Sequence, residues 1–271
     1  MAITTLAGIR SGLVMPTNYS KNAGFATTVA GRCQSSFYLA AGITPAAAAP
    51  TPGLAGAALT SYAGQIRIPS ASNTTYLAGG SIYNGVAGAR GIYMLCDRLW
   101  HNSGFTITST AAQTVNSVAW PARDKNNSTN GDGVYIGVEV STATGTGAPT
   151  LSKSYTNSAG TAGRTSSNII LTSASSNIGS FYTLGLQAGD VGVQSVQSFT
   201  LSATWTSGVI HLVAFRPIAI YNTRADGLGG NELDYLHNGL IPLPDDIVPF
   251  LLYQGGGTAP RPQMRFKWAQ G

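Results

Sequence analysis

Val134, Ile136, Val138 and Val140 alternate with Tyr135, Gly137 and Glu139. An apolar side chain at every second position is the period of a β-strand with one buried face, and it does not line up along a helix. Phe199, Leu201, Ala203 and Trp205 alternate with Thr200, Ser202 and Thr204 in the same way. Near the C-terminus Met264, Phe266 and Trp268 alternate with Arg265 and Lys267. Residues 92–99 and 209–221 are more continuously apolar, which suits strands covered on both faces. Residues 66–68, 169–172 and 181–186 are shorter strand candidates.

Turn chemistry separates these runs. Asn130, Gly131, Asp132 and Gly133 precede the Val134 run, and residues 145–147, 159–163 and 226–230 punctuate the others with glycine. No long stretch carries a capped 3.6-residue apolar period; a short helix is expected only over 35–41. Many short strands at spacings of roughly 8–15 residues predict an all-β chain, an antiparallel sandwich or jelly-roll-like domain, with a barrel as the remaining topology. Exact internal repeats are absent, which argues against propellers and solenoids. One sandwich or two stacked smaller β modules both fit 271 residues. Pro217 removes a ladder donor inside the 209–221 run, so a bend or a passage between sheets is expected there.

Three regions are expected along the chain. Residues 1–60 read as an extended N-terminal arm, because Pro45, Pro50 and Pro52 break any helix through the Ala-rich stretch 40–58, whose small side chains offer little core. Residues 61–222 form the main β domain, and residues 223–271 a C-terminal extension with terminal strands. The arm prolines Pro45, Pro50 and Pro52, with Arg265, Phe266 and Trp268 of the last strand, are the candidate inter-subunit contacts, since an extended segment can add to a neighbour's open sheet edge.

Composition narrows the function. Charged residues are 9% of the chain, where about 25% is usual. A surface that poor in charge is a solubility liability for a free enzyme, and less so for a subunit covered by neighbours. The net charge is +5, but its carriers are scattered; the tightest group is Arg261, Arg265 and Lys267. Nucleic acid is therefore not an expected partner, because phosphate tracking needs a stripe of cations. Cys33 and Cys96 lack metal-ligand spacing and are expected as free, partly buried thiols, their pairing left open. Neither a signal-peptide pattern nor a run long enough to cross a bilayer is present, so the chain is expected to be made and folded in the cytoplasm, with no membrane partner.

Catalytic signatures are sparse. His101, His211 and His237 stand apart, and GxSxG, HExxH and P-loop patterns are missing. Asp124, Asp132, Asp190 and Asp226 sit in polar turns, where Asp bonds nearby amides. Residues 226–234 hold oxygen ligands that suit calcium, without the EF-hand pattern. The four tryptophans are dispersed, which favours core and interface packing over a sugar-stacking platform. The expectation is no catalytic residue, no metal and no cofactor.

Residues 93–104 (YMLCDRLWHNSG), 114–117 (TVNS) and 155–164 (YTNSAGTAGR), with the Ala/Pro-rich arm, resemble a group of tailed-bacteriophage structural proteins known as virion, capsid-associated or decoration proteins. The resemblance spans most of 35–220 and carries no catalytic residue. It implies a virion location. The expectation drawn from it is a capsid decoration or cement protein that binds the major capsid protein and copies of itself. The alternative is a tail, fibre or baseplate subunit that binds a carbohydrate receptor; a virion-borne glycan hydrolase and a nucleic-acid binder rank lower.

Overall fold

The computed structural model describes residues 2–23, 33–39, 41–70, 73–86, 90–166, 169–170, 176–223, 231–234, 240–256 and 259–271. Their regular structure is one short helix and otherwise antiparallel β-strands. In chain order these are α1 (Leu6–Gly12), β1 (Leu13–Ser20), β2 (Cys33–Ser35), β3 (Ala57–Ala58), β4 (Thr75–Asn84) and β5 (Arg90–His101). Then come β6 (Gln113–Thr114), β7 (Tyr135–Thr142), β8 (Thr150–Asn157), β9 (Arg164–Thr165), β10 (Ile169–Ile170) and β11 (Ser180–Leu184). The chain closes with β12 (Val193–Leu201), β13 (Val209–Thr223), β14 (Asn231–Asp234), β15 (Pro242–Leu243), β16 (Pro249–Gly256) and β17 (Pro262–Gln270). The expected all-β antiparallel fold is what forms.

The chain divides into two compact units that are not consecutive in sequence. The first takes Met1–Ala47, Ser61–Cys96 and Ile218–Gly271; the second takes Ala48–Thr60 and Asp97–Pro217. This division does not follow the expected 1–60, 61–222 and 223–271 boundaries. Residues 13–20 are a paired strand rather than part of an extended arm, and the C-terminal strands are integral to the first unit. β13 runs unbroken through Pro217, the last residue of its second-unit stretch.

In the first unit β17 lies between β1 and β4, and β14 and β15 pair with β4. Its alternation does what the sequence requires: Met264, Phe266 and Trp268 are buried, while Gln263, Arg265 and Lys267 face outward. The inward set packs with Tyr19, Leu77, Ile82, Tyr93, Tyr221 and Tyr253 in one core. Trp268 also donates through Nε1 to Thr17 Oγ1 at 2.8 Å, which satisfies the indole and fastens β1. Phe266 and Trp268, expected at a subunit contact, are thus fully buried core residues with no surface to offer.

In the second unit one sheet is β10-β8-β12-β6 with β9 on β8, and β13-β7-β11 belong to a seven-stranded sheet, β13-β7-β11-β2-β16-β5-β3, that closes on itself through a β13–β5 pairing. Val138, Val140, Leu151, Tyr155, Val196, Phe199 and Leu212, from these two sheets, share one apolar core. β12 ends at Leu201, short of the alternation read to Trp205; Trp205 is still buried, its amide bonded to Ile107 O at 3.0 Å. Residues 66–68 are not a strand, although Ile66 is buried and its amide donates to Pro249 O. Among the described residues of 35–41 the expected helix does not form: β2 ends at Ser35, whose hydroxyl accepts from Phe37 N in the following turn. Ser competes for local amides in this way and stops helix growth.

Gly137, in the central strand β7, has the Phe181 ring over it; a Cβ there would lie 2.1 Å from two ring atoms. The ring fills the space that a side chain would otherwise take. Gly137→Ala is expected to destabilise the second unit by about 1–3 kcal/mol through overpacking. A melting curve with an unchanged midpoint would contradict the close packing described.

Candidate assembly surface

α1 begins at Thr5, whose hydroxyl accepts from Gly8 N at 3.0 Å and caps the first turn. The helix lies against the outward face of the first-unit sheet, where Ile9 packs on Ala78 and Ala269. Small sheet residues allow that approach, and at Gly12 the chain passes so close that a Cβ would lie 2.5 Å from Gln270 O. One helix of seven residues does not cover what it touches. Leu6 is 62% exposed, Leu13 52% and Met15 82%. Leu6, Ile9, Leu13 and Ala78 line a groove of about 680 Å³, with Arg10, Lys267 and Asp234 as its charged lining residues.

β1 is the outer strand of its sheet, yet Pro16 and a register irregularity between Val14 and Thr17 interrupt it. Both features blunt an edge against strand addition. What this edge exposes is side chains, chiefly Leu6, Leu13 and Met15. Leu6 and Leu13 carry no motif; only the fold of α1 and β1 brings them to one groove, so periodicity alone missed them. Of the residues expected at a contact, Pro45 and Pro52 are exposed, Pro50 is buried and Arg265 is exposed. Pro45 belongs to the first unit and Pro50 and Pro52 to the second. Pro45 O is held by Lys21 Nζ at 2.9 Å, which also reaches Thr44 O.

The second unit holds a different polar feature, a buried charge cluster. Arg98 Nη1 donates to Glu139 Oε2 at 2.6 Å, and Arg123 grips Asp97 in a two-point fork at 2.8 and 3.2 Å. Arg216 Nη1 donates to Asp124 O at 3.3 Å. The Asp124 carboxylate organises its turn, accepting from Asn126 N, Ser128 N, Ser128 Oγ and Asp132 N. Asp190 ties two loops by accepting from Arg164, Tyr155 and Asn157, and the Arg164 bond leads in holding its carboxyl down to about 2.

His211 stands beside this cluster, opposite Glu139 in the β13–β7 register. Its Nδ1 lies 2.8 Å from Asn102 O, which only accepts, so Nδ1 carries the proton. Nε2 then accepts from Ser141 Oγ at 2.7 Å. Ser141 sits at the irregularity where Val209 pairs with Thr142 and Ile210 with Val140. With the imidazole fully buried, this pair fastens a bulge between β7 and β13. Neither Cys33 nor Cys96 forms a disulfide; Cys96 is buried and Cys33 half-buried. Among the described residues no three His, Cys, Asp or Glu side chains come together as a metal site. His237 and residues 226–230 of the calcium candidate lie outside the described residues.

No family model, curated protein or solved structure matches the chain.

His101 and His211 are both shifted to lower pKa by burial, with Arg98 adding to it, His101 to about 2. The unfolded chain therefore takes up these protons first as the pH falls below 6.5, and the folded state loses stability from there downward. The expected slope is about 1.4 kcal/mol per pH unit for a histidine that titrates only when unfolded. Thermal melting between pH 7 and pH 5 should show that loss, and His101→Gln should flatten it. A melting temperature independent of pH over this range contradicts the assignment.

Proposed function

We propose that this chain is a structural protein of the tailed-bacteriophage virion, a capsid decoration or cement subunit that binds the assembled shell and stabilises it through inter-subunit contacts. The observation that carries the reading is the poverty of charge on the surface. The sequence has 15 basic and 10 acidic residues, and Lys21, Asp97, Arg98, Arg123, Asp124, Glu139, Lys153 and Arg216 among them are buried. What remains outside is a surface of small and hydroxyl side chains, with Leu6 and Leu13 exposed at one groove and Met15 exposed on β1. Apolar side chains grouped like this mark contact sites when ringed by polar surface. The resemblance of residues 93–104, 114–117 and 155–164 to tailed-phage virion proteins supports the same conclusion.

The partner is the major capsid protein of the shell, with further copies of this chain beside it. A net charge of +5 favours an acidic shell surface. A protein that binds only the assembled shell raises the stability of that shell by mass action.

Binding to shells stripped of this protein tests the reading. Each large apolar side chain buried in a contact contributes about 1.5–3 kcal/mol. Leu13→Asp combined with Met15→Asp is therefore expected to weaken co-sedimentation with shells by at least about tenfold. Both side chains are exposed, so the melting temperature should stay near that of the parent chain. Undiminished occupancy of the shell by the double variant would remove the α1–β1 surface from the contact.

A further inference from the structure

α1 covers only one end of the outward face of the β1–β17–β4 sheet. The other end is open, and the strand register builds a polar grid on it. Asn18, Arg265 and Ser81 form one cross-strand row, and Ser20, Gln263 and Tyr83 form the next. The inward neighbours Tyr19, Met264 and Ile82 are core residues, so the pleat fixes which side chains face out. Together with Ile43 the grid lines a groove of about 530 Å³, within the range of small-ligand sites.

The wall of the groove is held in place. Ile43 N donates to Ser20 O at 3.2 Å, and Lys21 bridges to Gly42. Lys21 Nζ clamps Thr44 O and Pro45 O behind it. Gly42 is required for that approach, since a Cβ would lie 2.2 Å from Ser20 O. Ile43 is nevertheless 54% exposed and Tyr83 39% exposed. Two apolar surfaces stand open on a rigid three-stranded floor, among amides, hydroxyls and one guanidinium.

That combination selects a chemistry. The C–H face of a pyranose ring packs on an aromatic or branched aliphatic side chain, and its hydroxyls take bonds from planar amides and from serines. Arg265 is the one charged residue of the groove, and no ion pair ties it to another side chain among the described residues. A guanidinium fork matches a carboxylate with two parallel bonds. A single fork fits one carboxylate and is a poor track for a phosphate backbone, which needs a row of cations. We propose that this face is a binding site for an acidic saccharide, a uronate or sialate residue of a glycan, with its carboxylate on Arg265 and its ring against Tyr83 and Ile43.

The site belongs to the first unit alone and does not depend on the virion assignment. Single-site affinity of this kind is weak, and an array of copies would convert it into firm adhesion through effective concentration.

Amide and side-chain NMR shifts of the intact chain, titrated with N-acetylneuraminic acid, with galacturonate oligomers and with neutral galactose, test the proposal. Saturable shifts at Ser81, Tyr83, Gln263 and Arg265 with the acidic sugars are expected, with galactose at least tenfold weaker. Arg265→Gln should bring the acidic sugars to the level of galactose, and Tyr83→Ala should weaken all three. Both side chains face outward, so the remaining spectrum should be preserved, which separates lost binding from lost fold. No saturable shift at the grid with either acidic sugar overturns the proposal. So does an equal response to acetate, which would reduce the site to a carboxylate contact without a sugar ring.

Discussion

The pleat of β17 is the constraint on which most of the first unit depends. The strand is bonded on both sides, to β1 and to β4, so it can neither slip nor rotate without breaking two ladders at once. A slip of one residue would put Gln263, Arg265 and Lys267 into the core and Met264, Phe266 and Trp268 into water. Trp268 reinforces the register through its bond to Thr17, and Phe266 through its edge contact with Tyr221. The same choice of register that buries the aromatic set displays the polar grid on the opposite face. Core and candidate ligand face are two consequences of one alternation.

The second unit depends on a different bargain. Asp97, Arg98, Arg123 and Glu139 are paired and almost wholly excluded from solvent. Burying such pairs offsets much of their mutual attraction with desolvation, so they add little net stability; removing one partner is costly because it strands the other charge. Their effect is to fix which strands meet, since β5 and β7 must bring opposite charges together and the Arg123 loop must fold back to Asp97. The consequence for function is that charge is spent inside. A chain that already has few ionisable side chains keeps fewer still on its surface.

Strands with strong contrast were legible in the sequence. The 134–140 alternation is β7, the 92–99 and 209–221 runs are β5 and β13, and the Met264, Phe266, Trp268 series is β17. β4 and β8 were not, because Ala78, Gly79, Gly80 and Ser81 in one, and Ser152, Lys153 and Ser154 in the other, give no apolar rhythm. Their faces are set by neighbours: Gly80 is required where Tyr221 comes so close that a Cβ would lie 2.8 Å from its hydroxyl. The expectation of an arm over 1–60 rested on prolines at 45–52 and overlooked β1, whose Leu13, Met15 and Tyr19 are spaced by a proline and an irregularity. The terminal strand was read correctly as a strand, but Phe266 and Trp268 were assigned to a contact that the core claims. Neither the α1–β1 groove nor the polar grid is a local pattern; each needs residues from β4, whose strand the sequence does not announce.

The proposed place of this chain in a particle is tested most directly by a cryo-EM reconstruction of the purified virion with the chain located in the density. The account predicts copies at regular positions on the shell lattice, each seated with α1 and β1 against the capsid surface. Density confined to the tail or its fibres, or no density anywhere on the particle, would contradict it.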